Sequence, residues 1–305
     1  MTELKDIRVE IDALDDELAA LVARRLKLTD AVAAAKGVSG RPVNDPVRER
    51  EILTRLSRQV GEDAARGVRT VYAAIFGVSK ARQRVRLGAA SPFLAGLDEA
   101  RARAGAALPD MAFVACSGAE GSCTQQAVSR MFAVPTILYF TGFENVFEAV
   151  EKGVCAYGVL PVENSSAGSV SAVYDLMQRH RFHIVRSCGL KALEENVADS
   201  AYNYTRFICI ARDLAIFPNA NRVAFMLGLP HRPGALNEVI ARFAAVGVNL
   251  TKLESRPELG PAFEFRFVFE FEASPANPDV RALLAELSCD PDVERFTFLG
   301  AYEET

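Results

Sequence analysis

Apolar residues recur every three or four positions through the first part of the chain, between residues 4 and 36. The positions are Leu4, Ile7, Ile11, Leu14, Leu18, Leu21, Val22, Leu26 and Leu28. No glycine or proline interrupts this spacing, which predicts one long amphipathic helix. Such a helix spans about 50 Å. Because that is more than a compact monomer of this size needs, we expect the helix to pair with another chain.

The remainder of the first domain is also predicted to be helical. Glycine and proline at 37–42 end the first helix, and a second helix follows over about 46–60, with proline in its first turn. A third helix is predicted over about 64–85. Residues 1–88 are therefore predicted to form an all-α domain. The stretch at 89–110, rich in Gly and Ala, is predicted to be a linker with room for a short helix.

Strands and helices alternate in the middle of the chain. Short apolar runs predict strands at 111–116, 136–140 and 157–161, separated by helices at 123–132 and 143–151. Alternation of this kind is typical of an α/β domain with a largely parallel sheet. We place this domain at 111–213.

A third pattern begins at Arg222. Strands and helices are predicted in the order strand, helix, strand, strand, helix, strand, at 222–229, 234–246, 249–256, 262–272, 278–287 and 293–301. In the third of these strands, phenylalanines alternate with mostly charged residues, which predicts one buried face and one face in water. They are Phe263, Phe265, Phe267, Phe269 and Phe271. The β-α-β-β-α-β order is that of the ferredoxin-like plait, an α+β fold, here at 220–305. The chain is thus predicted to be multidomain.

Bulk composition excludes several classes of function. A net charge of −4 and a pI near 5.6 argue against a nucleic-acid partner. The sequence has no apolar run long enough for a bilayer and no secretory signal. The six cysteines form no C-x-x-C pair, so we expect small buried residues in a reducing compartment and no metal site. These observations predict a soluble cytoplasmic protein.

Polar residues of the predicted helices fall into sets that share a helix face. The sets are Arg25 with Lys36, Asp45 with Arg48 and Glu49, and Ser79 with Gln83. Spacings of eleven, of three or four, and of four residues bring the members of each set to one side. A bundle that directs several cations inward has to neutralise them, and a small dianion would do so. The alternative is a helical hairpin whose Arg and Lys are simply solvated.

These residues resemble the all-helical class of chorismate mutase. The resemblance lies in I-R-x-E-I-D at 7–12, A-R-R at 23–25, Lys36, R-P-V-x-D-P-x-R-E at 41–49 and S-x-x-x-Q at 79–83. It implies conversion of chorismate to prephenate without a cofactor. A pericyclic rearrangement of this kind needs no nucleophile, only a folded substrate and stabilised charge at the breaking ether bond.

The resemblance also implies a role for each residue. In this scheme the substrate carboxylates are bound by Arg8, Arg25, Arg48 and Ser79, the ether oxygen by Lys36 and Gln83, and the hydroxyl by Asp45 and Glu49. In such proteins Arg8 reaches the site from the partner chain of a homodimer, which would also explain the length of the first helix.

The middle domain resembles prephenate dehydratase, whose fold is like that of periplasmic binding proteins. The resemblance lies in G-x-E-G at 118–121, Y-G-V-L-P-V-E-N-S-x-A-G-S-V at 157–170 and N-Y-T-R-F at 203–207. It implies that Thr205 takes part in converting prephenate to phenylpyruvate and that Glu163, Asn164 and Ser165 line the same cleft.

The second lobe of that fold is missing from the sequence. After H-I-V-R-S at 183–187, where the family continues through a further α/β lobe, this chain passes directly to Cys188, Gly189 and Leu190. The absent piece has the size of a small domain, on the order of 50–100 residues. Because one lobe cannot enclose a substrate, we expect dehydratase activity to be strongly reduced or lost.

Residues 222–301 resemble the ACT domain of phenylalanine-biosynthetic dehydratases. The resemblance lies in L-P-H-R-P-G-A-L at 229–236, G-V-N-L-T-K-L-E-S-R-P at 247–257 and L-G-A-Y at 299–302. It implies phenylalanine binding between two protomers, by the set Gly234, Ala235, Leu236, Glu254 and Ser255. A plait that only dimerises is the alternative.

The three resemblances together predict a bifunctional chorismate mutase/prephenate dehydratase with a C-terminal ACT domain. Chorismate and prephenate would be its substrates, and phenylalanine its effector. The alternative is a non-catalytic regulatory or scaffolding protein that binds phenylalanine through the ACT domain alone.

Overall fold

The fold was analysed in a computed structural model that describes residues 4–39, 43–87, 91–191, 203–257, 265–290 and 292–305. The chain separates into two compact units, Met1–Ser91 and Pro92–Thr305. Each unit is described by itself. The predicted residues Arg41, Pro42 and Phe263 lie outside the described residues.

Two long helices make up the first unit, which confirms the all-α prediction. Helix α1 is Leu4–Ser39 and helix α2 is Pro46–Leu87. Helix α2 is interrupted at Gly61, whose φ of 77° and ψ of 170° are not helical. A positive φ is unfavourable for a residue with a Cβ and cannot continue a right-handed helix. Gly61 therefore separates two helical segments of α2, which correspond to the helices predicted at 46–60 and 64–85.

The apolar face of α1 is left exposed within this unit. Leu14, Leu18 and Leu21 are 64%, 52% and 60% exposed, respectively. Thr29 and Ala33 are the residues of α1 that the unit buries. A helix with such an uncovered stripe lacks a packing partner along most of its length.

The second unit contains six helices and ten strands within its described residues. The first part contains α3 Pro92–Arg103, β1 Met111–Ser117, α4 Cys123–Met131, β2 Val134–Phe140, α5 Phe143–Glu151, β3 Tyr157–Asn164, β4 Gly168–Ser169, α6 Ser171–His180, β5 His183–Lys191 and β6 Tyr204–Ala211. The second part contains β7 Arg222–Leu229, α7 Ala235–Val246, β8 Asn249–Pro257, β9 Phe265–Glu272, α8 Pro278–Cys289 and β10 Glu294–Glu304.

Nine of these strands follow one another in a single sheet, in the order β2-β1-β3-β6-β5-β10-β7-β9-β8, and β4 pairs with β3. Strand β1 lies parallel to β2 and β3, as the alternating pattern predicts. Strand β6 runs antiparallel to both β3 and β5. The sheet of the middle domain is therefore mixed, because only β2, β1 and β3 lie parallel to one another in it, while β6 runs antiparallel to both of its neighbours.

The final four strands form the antiparallel segment β10-β7-β9-β8. Helices α7 and α8 cover one side of this segment and share a core with Phe225, Phe269 and Phe271. The element order and the predicted bounds agree with the sequence analysis to within a few residues.

Helix α3 belongs to this C-terminal core, although its sequence region reads as a linker. The Phe93 ring meets Phe296 and Phe298 edge-on at 5.4 and 5.3 Å. Asp98 also accepts a hydrogen bond of 2.8 Å from Arg281 on α8. The apolar side chains of this short helix are thus buried against an element almost two hundred residues later.

The opposite side of the C-terminal strands packs against the middle domain. Met226, Val268 and Leu299 share a core with Val173 and Met177 of α6. The predicted wet face of β9 is therefore wrong: Arg266 and Glu270 are 5% and 3% exposed. Alternation along a strand shows which residues share a face, but not which element covers that face.

Strand β10 joins the two parts of the sheet by pairing with β5, at Glu303–Glu304 beside Arg186–Ser187. Gly300 permits the close approach, because a Cβ there would collide with the carbonyl oxygen of Ile184. A buried network crosses the same boundary. The Arg206 guanidinium bonds to Glu270, which also accepts a 2.9 Å hydrogen bond from the Tyr302 hydroxyl. Burial first, and then Glu270, raises the pKa of Tyr302 well above its usual value.

Glu270→Ala is expected to lower the free energy of unfolding of the second unit by about 1.5–3 kcal/mol, because it removes the buried carboxylate that binds Arg206 and accepts from the Tyr302 hydroxyl, while Glu163 remains 3.1 Å from Arg206. Denaturant unfolding followed by circular dichroism measures this loss. The control is Glu144→Ala, which removes a surface carboxylate 2.8 Å from Arg179 and should cost no more than about 1 kcal/mol. Equal losses in the two variants would contradict the importance of the buried network.

The cysteines agree only in part with the sequence interpretation. None is in a disulfide among the described residues, and Cys116, Cys155, Cys188 and Cys209 are buried as predicted. The interpretation is wrong for the other two, since Cys123 and Cys289 are exposed.

Candidate active sites

Arg25, Ser79 and Gln83 come together between α1 and the second segment of α2. Arg25 Nη1 donates a 2.5 Å hydrogen bond to Ser79 Oγ, and the guanidinium carbon lies 5.6 Å from the centre of the Phe76 ring. Ser79 and Gln83 are 6% and 7% exposed. Two residues that are 54 positions apart in sequence thus form the contact that defines this site.

Gln83 has an acceptor that the surrounding chain leaves open. Its Nε2 donates to the carbonyl of Ser79 at 3.3 Å. Its Oε1 is buried and has no hydrogen-bond partner within the described part of the chain. A buried amide oxygen without a partner costs free energy, which favours a bound group that supplies the missing donor or reorients the amide.

Lys36, Asp45 and Arg48 lie at the turn between the two helices. Lys36 Nζ donates a 2.8 Å hydrogen bond to the carbonyl of Val43. Asp45 caps α2, because its Oδ1 accepts a 3.1 Å hydrogen bond from the backbone N–H of Arg48. The Arg48 side chain pairs with Glu51 at 3.0 Å, and both side chains are more than half exposed. Arg48 is therefore in a surface ion pair, and it is not part of the contact between Arg25 and Ser79.

Glu49 is held by a lysine that the sequence analysis did not single out. Lys80 Nζ lies 3.3 Å from Glu49 Oε1. Another unpredicted pair joins the helices nearby, where Arg82 binds both oxygens of Asp30 at 2.6 and 2.8 Å. The Arg82 hydrogen bond lowers the pKa of Asp30 to about 2. Neither pair has a sequence signal, because partners on different helices show no fixed spacing.

Arg8 lies far from these residues along the same helix. It precedes Arg25 by 17 positions, which corresponds to about 25 Å of helix. A single side chain cannot cover that distance. Arg8 and Arg25 of one chain therefore cannot bind the same small molecule.

Asn164, Ser165 and Thr205 form a second cluster at the carboxyl end of β3. Asn164 Nδ2 donates to Thr205 Oγ1 at 2.8 Å and to Asn203 Oδ1 at 2.7 Å. Ser165 Oγ accepts a 2.9 Å hydrogen bond from the backbone N–H of Tyr204. Pairing of β3 with β6 produces this cluster, since Asn164 lies opposite Thr205 in the register.

Glu163 points away from that cluster, because neighbouring residues of a strand face opposite sides. Its carboxylate lies 3.3 Å from Lys252 of β8 and 3.1 Å from Arg206. The structure thus separates Glu163 from Asn164 and Thr205, and joins it to the C-terminal strands.

The glycine-rich turn at 118–121 ends at the first turn of α4. Gly118 and Gly121 have φ values of 109° and 83°, which suit glycine alone. Ser122 then caps the helix, with Oγ accepting a 3.3 Å hydrogen bond from the N–H of Gln125. This turn follows β1, which is parallel to its neighbour β3. The turn and Asn164 therefore both lie at the carboxyl ends of these strands.

The residues predicted to bind an effector lie on two elements of the C-terminal strands and helices. Gly234 is the N-cap of α7 with a φ of 86° and no side-chain cap, and Ala235 and Leu236 begin the helix. Glu254 and Ser255 lie on β8, where Glu254 pairs with Lys252 at 3.3 Å. A polar cavity of about 510 Å³ adjoins Glu254, and it is lined by Glu163, Ser169, Ser171, Thr251, Lys252, Leu253 and Glu254.

The described residues contain no group of His, Cys, Asp or Glu side chains that could hold a metal ion. The search for membrane spans, made over the same residues, found no helix with the length and apolar character that crossing a bilayer requires.

Two family models match this chain. The model of chorismate mutase type II matches residues 7–84, and that of prephenate dehydratase matches residues 114–188. The first match covers Arg25, Ser79 and Gln83 as well as Lys36. The second ends at the position where the sequence analysis places the junction of the missing lobe.

Curated relatives contain the same two activities that the family models describe. A bifunctional chorismate mutase/prephenate dehydratase of Aquifex aeolicus is 24% identical over 380 residues, covering 99% of this chain and 98% of the relative. Because the alignment is longer than the 305 residues of this chain, it contains residues of the relative that have no counterpart here.

Solved structures resemble the second unit. Prephenate dehydratase from Streptococcus mutans has a TM-score of 0.54 at 28% identity, over 63% of this chain and 98% of that one. Prephenate dehydratase from Arthrobacter aurescens in complex with L-Phe has a TM-score of 0.53 at 20% identity, over 62% of this chain and 89% of that one. The latter is a likeness of fold alone.

The chain therefore joins a helical chorismate mutase domain to a mixed α/β prephenate dehydratase domain. This pair of domains serves phenylalanine biosynthesis, and it is the pair found in the bifunctional chorismate mutase/prephenate dehydratases to which this chain is similar over nearly its whole length.

Proposed function

We propose that the first unit converts chorismate to prephenate at a site built around Arg25, Ser79 and Gln83. The observation that carries this proposal is the buried contact between Arg25 and Ser79, next to a Gln83 amide oxygen that lacks a partner in the described chain. An arginine held in place by a buried hydroxyl and an aromatic ring is suited to bind one carboxylate of the substrate.

The other predicted residues complete the site in this proposal. Lys36 donates a hydrogen bond to the ether oxygen, where negative charge develops as the bond breaks, and Gln83 donates a second one after its amide reorients so that Nε2 takes the place of the unpartnered Oε1. Asp45 and Glu49 orient the substrate hydroxyl, and Arg48 leaves its exposed partner Glu51 to bind the second carboxylate. Catalysis then consists of holding a reactive conformer and stabilising charge, with no covalent intermediate.

The active form is a homodimer in which Arg8 of one chain reaches the site of its partner. Two observations support this. The apolar stripe of α1, including Leu14, Leu18 and Leu21, is uncovered in the single chain. Arg8 also lies too far along α1 to act with Arg25 of its own chain.

The test of this function is to supply chorismate to the purified protein and to follow its conversion to prephenate. We expect the mutase reaction at rates well above the uncatalysed one. A protein that folds, dimerises and leaves chorismate unchanged would contradict the proposal and favour a non-catalytic regulatory or scaffolding role.

The middle domain retains one lobe of a dehydratase, and we propose that its activity is strongly reduced or lost. The residues of the Aquifex aeolicus relative that have no counterpart in this chain support a missing lobe. The direct pairing of β5 with β6 supports it as well, since these strands close the sheet where the second lobe would begin. Asn164, Ser165 and Thr205 remain assembled, but with only one wall of the cleft.

The C-terminal part at 220–305 is proposed to be a ferredoxin-like ACT domain that binds phenylalanine. The strand order β10-β7-β9-β8 with both helices on one side supports this fold. In the proposal, the uncapped N-terminus of α7 at Gly234, Ala235 and Leu236 binds the carboxylate, and Glu254 with Ser255 binds the ammonium group. The Arthrobacter aurescens relative in complex with L-Phe supports the choice of ligand.

Calorimetric titration is expected to detect phenylalanine binding, and Gly234→Val should weaken it at least tenfold, because valine disfavours the positive φ at the helix start. The matched control is Gly153→Val, at a glycine with a similar φ of 72° in the middle domain. No binding to the folded wild type, or equal affinity for both variants, would contradict this assignment.

A further inference from the structure

Lys80 is a partly buried cation on the inner face of the second segment of α2. Its side chain is 17% exposed, and that of its partner Glu49 is 27% exposed. Lys80 follows Phe76 by four residues and precedes Gln83 by three, so that these three side chains share one face. Phe76 is the ring beneath the Arg25 guanidinium. Lys80 therefore lies on the same face as the proposed mutase site.

The pair with Glu49 connects the two segments of α2. Glu49 lies in the first turn, ahead of the interruption at Gly61, and Lys80 lies after it. The Nζ–Oε1 distance of 3.3 Å is that of an ion pair. Ser79 and Gln83 are on the same segment as Lys80. The contact between the segments therefore fixes the position of the Glu49 carboxylate relative to these two residues.

Glu49 has an electrostatic problem if it binds the substrate hydroxyl. The substrate is a dianion, and a third negative charge nearby repels it. A partly buried cation next to Glu49 offsets this repulsion, since charge interactions are stronger there than at an exposed surface.

We propose that Lys80 is a positioning residue of the mutase site, which compensates the charge of the Glu49 carboxylate and keeps it oriented toward the hydroxyl of the substrate. This inference rests on the proposed mutase function. It adds one cation to the predicted set, on the helix segment that carries Ser79 and Gln83.

The test compares Lys80→Met and Lys80→Arg with the wild type, in the full chain. Lys80→Met is expected to lower kcat/KM for chorismate about tenfold, mainly through a higher KM, because repulsion acts on substrate binding. Lys80→Arg, which keeps the charge, should stay within threefold of the wild type.

A double-mutant cycle tests whether Lys80 acts through Glu49. In the Glu49→Gln background, Lys80→Met should change kcat/KM less than twofold, because no carboxylate is left to hold. Lys27→Met, at an exposed lysine of α1, controls for the loss of one positive charge and should leave activity unchanged. Thermal unfolding of every variant checks that the fold is intact.

Three outcomes would overturn the inference. If the kcat/KM of Lys80→Met is within twofold of that of an active wild type, Lys80 has no positioning role, and the proposed mutase function is unaffected. An equal loss in the Glu49→Gln background means that Lys80 does not act through Glu49. A folded wild type without mutase activity overturns the proposed function and this inference together.

Discussion

Lys36→Ala is expected to lower kcat and kcat/KM for the conversion of chorismate to prephenate by about 10²–10³-fold. This is the usual loss when one preorganised donor to a developing negative charge is removed. Lys36 lies in the last turn of α1, and the hydrogen bond that the structure gives it runs to the neutral carbonyl of Val43. Its charge is therefore not already neutralised by that partner, and it is available to the ether oxygen.

Steady-state kinetics with purified protein measures this effect. Because the interaction is made mainly in the transition state, kcat should fall with kcat/KM while KM changes little. Lys27→Ala, an exposed position on the same helix, should keep full activity, and both variants should unfold at the temperature of the wild type. If the wild type is an active mutase and Lys36→Ala is equally active, the site is assigned to the wrong residues.

Prephenate is expected to accumulate from chorismate without phenylpyruvate above an enzyme-free control at neutral pH. Dehydration with decarboxylation needs a cleft that excludes water and holds the substrate from both sides. The Asn164–Thr205 cluster lies beside Tyr204, whose side chain is half exposed. This cluster would form one side of such a cleft, and we expect the lobe that would form the other side to be missing.

A time course that follows both products decides this point. Phenylpyruvate formed in step with prephenate would contradict the expected loss. The variant Thr205→Val, which is close in shape and removes the hydroxyl, then locates the activity: its failure to make phenylpyruvate would mean that the single lobe, or a partner chain, completes the second site. Thr136→Val on β2, outside the cluster, is the matched control.

The sequence alone predicted the elements and the faces of this protein well. The helical pattern of α1, the break now seen at Gly61 and the strand-helix order after Arg222 are local properties, since each depends on residue spacing and on turn chemistry. The same spacing places Ser79 and Gln83 on one helix face. Residue spacing and motifs were therefore sufficient to identify the two domains that the family models match.

What the sequence could not determine is which surfaces meet. Lys80 pairs with Glu49, Arg206 with Glu270, and α3 packs on α8, in each case between residues that show no regular spacing. The β9 face predicted to be wet is buried, and Glu163 turns toward Lys252 instead of Thr205. The spacing of residues predicts the face of a helix or strand on which a side chain lies, because the backbone geometry of these elements is regular. The partner on that side depends on how the elements pack in three dimensions, and only the tertiary structure shows it.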